Sequence, residues 1–370
     1  MNMFLFSLIF LVIMVFIDYY TYRRFLAALF PSYTRALLVV PFLFLVSQVL
    51  FVVTARLNLI SVTPPFYYTY ALIFGVSLLL FIIALFYDIT LTFAQKIPFD
   101  KSRRASIKIM FDITMIIATF SYLFEAISGG LKKPILNRVS IKIKNLKNLK
   151  IAQLTDMHVG ELLQEDFVAE CVSRINALDV DLVVITGDLI DGDIDELIPH
   201  LAPLKNLKSR YGTFYVNGNH EYYHGIAKIM QRVSELNIRV LDDESLLIDN
   251  RFNLVGLNDY ASSRFNEYVL DENRAFRDVD ENFPTIVLAH QPKMTRLLKD
   301  KKYDLMISGH THGGQIFPFG FLVMIDQVYL AGLYQVSKTK QIFVSRGTGF
   351  WGPPVRILAP SEISILELFE

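Results

Sequence analysis

Charge of one sign is what this chain most lacks. Its 36 lysines and arginines are matched by 36 aspartates and glutamates, so the formal net charge is zero. No global basic field draws nucleic acid to it, and no basic, aromatic-lined groove is evident for a single strand. Nucleic acid is therefore not expected among its partners. Cysteine is nearly absent too. Cys171 stands alone, which excludes an internal disulfide and leaves the redox compartment unread. Internal repeats and low-complexity segments are missing. From Lys150 onward long apolar runs are missing as well, so the 53% apolar content concentrates in the first third.

Three stretches in that first third read as membrane spans: Met3 to Ile17, Leu37 to Val53 and Tyr67 to Phe86. A bilayer core takes about 20 apolar residues, or fewer with aromatic flanks. Tyr19, Tyr20, Tyr22, Tyr67, Tyr68 and Tyr70 sit at span ends, where amphipathic rings prefer the interface. The first run is not read as a cleaved signal peptide, because no small-residue cleavage site follows it and further spans do. A fourth stretch, Ile109 to Ser128, carries Asp112 and Glu125 near its ends. It reads as a span or as a helix lying in the interface.

Sidedness follows from that choice. Arg23, Arg24 and Arg35 place the first connection in the cytoplasm. Three spans then leave the rest of the chain in the cytoplasm, and a fourth returns it outside. Lys132, Lys133, Arg138, Lys142 and Lys144 favour the inside; Ser102 to Lys108, which weakly resembles a twin-arginine export signal, favours the outside. The expectation is a multi-pass protein of the cytoplasmic (inner) membrane with its C-terminal part in the cytoplasm. Residues 1–128 form the transmembrane helical domain, 129–148 a basic linker and 149–370 a soluble domain.

In the soluble part, short apolar runs of buried-strand type recur at Leu149 to Thr155, Asp181 to Thr186, Thr213 to Val216, Phe252 to Leu257, Pro284 to Ala289 and Tyr303 to Ile307. Helical patterns fall at Gln164 to Leu178, Gly225 to Leu236 and Lys293 to Leu298. Strand patterns close the chain at Phe321 to Ile325, Gln341 to Val344 and Glu362 to Leu368. This order predicts an α/β sandwich.

Nearly every one of these strands ends in a polar cluster: TDMHVG with Asp156 and His158, TGDLIDG with Asp188 and Asp191, NGNHE with Asn219, His220 and Glu221, AHQP with His290, and SGHTHGGQ with His310 and His312. Ligands of open α/β sheets bind outside the carboxyl ends of strands, so the clusters are expected to converge. Residues two apart in extended chain point the same way, which lets Asp156 with His158, or His310 with His312, offer two ligands to one region. Imidazole mixed with carboxylate suits borderline divalent ions, and too few carboxylates are present for a dedicated calcium site. Five of the 7 histidines lie in these clusters; His200 and His224 are left over and read as surface residues, His224 with a possible supporting place beside NHE.

TDMH, GDLID, GNHE, AHQP and GHTHGGQ, in that order, resemble the calcineurin-like metallophosphoesterase family, with every metal-ligand position filled. The resemblance covers about Lys150 to Glu370, and it implies a β-sandwich flanked by helices and a hydrolase with two divalent ions, manganese first, with iron or zinc as alternatives. It implies that Asp156, His158 and His312 hold one ion, that Asn219, His290 and His310 hold the other, and that Asp188 bridges them. His220 is then the general acid and Asp191 orients it. GNHEYY, GHTHGGQ and the tail RGTGFWGPPVRILAPSEI further resemble a membrane-associated bacterial subgroup. Some of its members hydrolyse the pyrophosphate of UDP-2,3-diacylglucosamine in lipid A synthesis. The implied partners are the lipid bilayer and an amphiphilic, phosphate-containing substrate. Phe317, Phe319, Phe321, Phe350 and Trp351 supply apolar surface for acyl chains or the membrane face. The competing readings are an outward-facing phosphodiesterase of envelope lipids or polymers, and a membrane scaffold that uses the fold only for binding.

Overall fold

Continuous apolar sequence has no polar stripe to turn toward water, and in the N-terminal third it folds into long helices. The computed structural model of the protein describes residues 3–56, 62–94, 96–98 and 100–370. Two compact units are present, Met1–Leu131 with Gly352–Ile357, and Lys132–Trp351 with Leu358–Glu370.

In the first unit, Met3–Thr21 is one helix. Among the described residues three helices are long and apolar enough to cross a membrane: Ala36–Thr54, Pro64–Ala94 and Lys101–Leu131. The last two have 31 residues each, about 46 Å at 1.5 Å per residue, against roughly 30 Å of hydrocarbon. The stretch read as span or interfacial helix lies wholly within Lys101–Leu131. Its Asp112 accepts a hydrogen bond from Tyr87 Oη at 2.8 Å and pairs with Lys108 at 2.5 Å. The second connection, with Arg56, runs into residues 57–61, which lie outside the described residues. Helix contacts are made by Phe25, Phe44, Leu80, Ile83 and Tyr87, while Val12, Phe16, Phe120 and Phe124 point outward. Polar groups are gathered inside: Gln48 Nε2 donates to Asp18 at 2.9 Å and Ser77 Oγ donates to Asp18 at 2.6 Å.

The second unit is built on two six-stranded sheets. The first has the order β1-β12-β2-β3-β4-β5, with β1 Ile135–Lys142, β2 Leu149–Leu154, β3 Leu182–Thr186, β4 Thr213–Val216, β5 Arg239–Val240 and β12 Glu362–Phe369. The second has the order β10-β11-β9-β8-β7-β6, with β6 Glu244–Ile248, β7 Phe252–Gly256, β8 Thr285–Leu288, β9 Leu305–Ser308, β10 Gly332–Gln335 and β11 Gln341–Val344. Ile151, Leu182, Val184 and Leu366 of the first sheet pack on Leu254, Ile286, Leu305 and Phe343 of the second. The outer face of the first sheet is covered by the helices Glu165–Asn176 and Ile226–Ser234. The outer face of the second is covered by the 3-10 segment Pro292–Asp300. The expected α/β sandwich is therefore the fold. β2, β3 and β4 are mutually parallel, as are β7, β8 and β9, so each set aims its carboxyl ends one way.

Two local expectations differ. Phe321 to Ile325, read as a strand, lies in a helix, Gly320–Gln327. The edge of β9 that could have received it is taken by β11, so the apolar run closes its own helical hydrogen bonds instead. Lys293 to Leu298, read as helical, is a helix of 3-10 type. Within the stretch read as a basic linker, Ile135–Lys142 is a strand paired in parallel with β12, its inward Val139 and Ile141 alternating with polar residues.

Candidate metal centre

The chain turns sharply after each inner strand, and the residues at those turns are the polar ones. Asp156, His158, Asp188, His310 and His312 all have positive φ, between 46° and 70°. Asp, Asn and His tolerate this left-handed region better than other side chains. Gly187 has φ 84°, and a Cβ there would lie 2.6 Å from His290 Nδ1. Only glycine lets the β3 turn pass this close to the ligand loop.

Two clusters result. In the first, His158 Nε2 lies 3.0 Å from His312 Nε2, and His312 Nε2 lies 3.3 Å from Asp156 Oδ1. In the second, His290 Nε2 lies 3.1 Å from Asp188 Oδ2, 3.2 Å from Asn219 Oδ1 and 3.2 Å from His310 Nδ1. Asp188 Oδ2 is also 3.9 Å from His158 Nε2, so one carboxylate oxygen faces both clusters. All the residues expected as metal ligands are thus brought together, and Asp188 stands between the two sets.

The donor set fits divalent cations. His158 donates its Nδ1 proton to Asp191 Oδ1 at 3.0 Å, and His290 donates its Nδ1 proton to the Thr186 carbonyl at 2.8 Å. Each tautomer is thereby fixed with an Nε2 lone pair turned inward. Ring nitrogens and carboxylate and amide oxygens then crowd together within 3.0–3.3 Å of one another, an arrangement that a cation satisfies. Burial raises the Asp156 and Asp188 carboxyls, but His312 beside the one and His290 beside the other outweigh it and hold both well below the usual carboxylate range. Burial lowers His290, and the Asp188 carboxylate more than reverses that. A cation would take the place of the proton so attracted.

His220 and Asp191 meet beside these clusters. His220 Nδ1 is 2.5 Å from Asp191 Oδ1, and its Nε2 is 3.9 Å from Asp188 Oδ2. Burial pushes the imidazole down, yet the carboxylates of Asp191 and Asp188 prevail and raise it to about 9. His224 lies next to it, ring centroids 6.4 Å apart, and is half-buried rather than a surface residue. His200 is half-buried as well, on the helix Ile194–Leu201. The exposed rings of Tyr223 and Trp351 stand edge-on to His220 at 5.6 and 6.3 Å. A cleft of about 160 Å³ opens at Asn219 and His310 and is lined by Tyr223, Tyr260, Arg264 and Lys293.

Sequence reasoning left one supporting residue without a role. Glu221 is fully buried, and its carboxylate accepts from the backbone N–H groups of Gly218 at 2.6 Å, Leu189 at 2.7 Å and Asp188 at 3.1 Å. It ties the NGNHE turn to the GDLID turn. The signal available was a glutamate three residues after a glycine that starts a helix, the position from which a carboxylate reaches back to free N–H groups.

Comparison with known proteins agrees with this geometry. The sequence model of the calcineurin-like phosphoesterase family matches residues 149–314. An uncharacterized metallophosphoesterase of Helicobacter pylori is 46% identical over 296 residues, 79% of this chain and 80% of that protein. Another from Campylobacter jejuni is 35% identical over 369 residues, 98% of each chain. A transmembrane protein with metallophosphoesterase domain from Bos taurus is 32% identical over 289 residues, 73% of this chain and 64% of that protein.

Proposed function

This chain belongs to the calcineurin-like metallophosphoesterase family, and on that premise we propose that it cleaves a pyrophosphate or phosphodiester bond of an amphiphilic substrate while anchored in a membrane. The activity class itself, metal-dependent phosphoester hydrolysis, comes with the family. The observation that carries the finer reading is the pairing of two features in one chain. One is Asp188 Oδ2 shared between two ligand clusters. The other is a set of three helices long and apolar enough to cross a membrane, a feature in keeping with the name of the bovine relative.

In this reading Asp156, His158 and His312 would hold one divalent ion, Asn219, His290 and His310 would hold the other, and Asp188, which faces both clusters, would serve both. Manganese is the first candidate, with iron or zinc next, since all donors are nitrogen or oxygen. Such ions, when bound, supply Lewis acidity: they lower the pKa of water and neutralise charge on phosphoryl oxygens. The protein does the rest. Asp191 keeps the His220 imidazole charged and fixes its ring through Nδ1, which leaves Nε2–H free to deliver a proton to the departing oxygen. Asp191 also holds His158 in the tautomer its neighbours need. Asn219 contributes a neutral amide oxygen, which limits the negative charge facing an anionic substrate.

The best candidate substrate is UDP-2,3-diacylglucosamine, reached from the cytoplasmic face of the inner membrane. Its diphosphate offers the scissile bond and its acyl chains hold it in the bilayer. The test is an assay of the full chain with manganese, following release of UMP. Turnover of bis(p-nitrophenyl) phosphate without any release of UMP would overturn the substrate and leave the hydrolase.

A further inference from the structure

One element of the catalytic unit has its apolar side turned to solvent. The helix Gly320–Gln327 leaves the HTHGGQ turn, and among its residues only Gln327 is buried. Phe321 is 60% exposed, Leu322 63% and Ile325 77%. Phe317, one turn earlier and 6.1 Å from the Phe321 ring, and Val328, one turn later, are exposed as well. Within the helix, positions 321, 322 and 325 share one side, and Phe317 in the turn before it packs its ring against Phe321. Side chains of this size, so exposed, present on the order of 500 Å² of apolar surface, near the upper end of what soluble monomers show.

The orientation of this stripe is fixed from its polar side. Asp326 pairs with Lys293 at 2.9 Å, and Gln327 Nε2 donates to Gln291 Oε1 at 3.1 Å. Gln291 in turn donates to Asp259 at 2.8 Å and follows the ligand His290 directly. At the other end, Gly314 packs so tightly against Gly320 that a Cβ at position 314 would lie 2.5 Å from the Gly320 Cα. The helix cannot roll its apolar side inward without breaking contacts that run to the ligand loops. An apolar stripe held outward in this way needs an apolar neighbour from outside the unit.

The chain supplies that neighbour. Three of its helices are long and apolar enough to span a bilayer, and only residues 132–134 separate the helix ending at Leu131 from β1 at Ile135. A link of that length reaches about 14 Å when fully extended, so the catalytic unit is tethered directly to a helix of membrane-spanning length and composition. We infer that Phe317, Phe321, Leu322 and Ile325 form a bilayer-docking surface. The helix Gly320–Gln327 lies in the headgroup–acyl boundary and brings the metal centre to a phosphoester held in the membrane surface. The inference deepens the proposed reading of an amphiphilic substrate and rests on it for its purpose, though not for its test.

The test uses the full chain in nanodiscs of phosphatidylethanolamine and phosphatidylglycerol. The sole native cysteine, Cys171, is buried, so nitroxide labels can be placed singly through Ile325→Cys and, as a control on the exposed β6 residue, Leu247→Cys. Oxygen should relax the label at position 325 more than an aqueous nickel chelate does, and the order should reverse at position 247. Equal access of the chelate to both labels, or spin–spin coupling between copies at position 325, would overturn the proposal. In a second arm, Phe321→Ser with Ile325→Ser should raise KM about tenfold for UDP-2,3-diacylglucosamine embedded in the same discs. It should leave turnover of soluble bis(p-nitrophenyl) phosphate unchanged. Equal loss on both substrates would mean the helix only supports the ligand loops. No turnover of the embedded lipid by the unaltered chain would overturn the substrate reading alone, because the depth measurement does not depend on it.

Discussion

Asp191 accepts from His220 Nδ1 at 2.5 Å and from His158 Nδ1 at 3.0 Å through the same oxygen. One carboxylate oxygen thus orients two imidazoles together, the proposed proton donor His220 and the proposed metal ligand His158. Asp191→Asn is expected to disturb both. His220 loses the nearer of two carboxylates that raise it, so its pKa falls. A general acid works only while protonated, and its contribution is lost as pH rises through its pKa. The alkaline limb of the kcat profile should therefore move to lower pH in the variant, as a pH series against the unaltered enzyme would read. An unmoved limb would take Asp191 out of the proton-donor role.

His220→Ala should slow turnover by roughly 10²- to 10⁴-fold for esters with poor, alkyl leaving groups. The loss should shrink for p-nitrophenyl esters, whose leaving oxygen needs no proton, while bound metal stays the same. Parallel kinetics on the two ester types, with metal analysis of each sample, decide the matter. Equal losses on both would make His220 structural.

Asp188→Ala removes the oxygen that faces both clusters. Activity should fall to background, and metal content should drop below that of the unaltered chain, which is expected to bind up to two ions. Chelation followed by repletion with manganese should restore the native enzyme but not the variant. Plasma mass spectrometry of dialysed protein gives the stoichiometry, and retention of full metal by Asp188→Ala would rule out a shared ligand.

Glu221→Ala leaves three buried backbone N–H groups without an acceptor. Each such loss costs about 1–3 kcal/mol, so a clear drop in the unfolding midpoint is expected, with activity falling because the Asp188 turn loosens. Glu221→Gln keeps one acceptor oxygen and should recover part of the stability. An unchanged midpoint in Glu221→Ala would show that the two turns hold without it.

The candidate site was legible because its residues break apolar runs: an Asp or His at the end of a strand otherwise made of Val, Ile and Leu has no packing reason to be there. The inner strands β2, β3 and β8 were legible for the converse reason, being buried on both faces. Phe321 to Ile325 was not. Five apolar residues fit a strand or a helix equally, and only the prior claim of β11 on the edge of β9 decides. Ile135–Lys142 was obscured by its basic residues, which lie on the outer face of an edge strand. Glu221 was passed over because its partners are backbone N–H groups, and backbone is invisible in a pattern of side chains.

The left-handed backbone at Asp156, His158, Asp188, His310 and His312 carries a consequence for how this centre can vary over generations. Two filters act on every substitution there. The first is the turn itself, which admits Asp, Asn and His with little strain and penalises β-branched residues whatever their chemistry. The second is affinity for a cation. Most exchanges fail the first filter before the second applies. Loss of metal at these positions should therefore proceed through Asp-to-Asn and His-to-Asn changes that leave the turns intact. A descendant that abandoned hydrolysis would keep the shape of the centre long after it lost the charge.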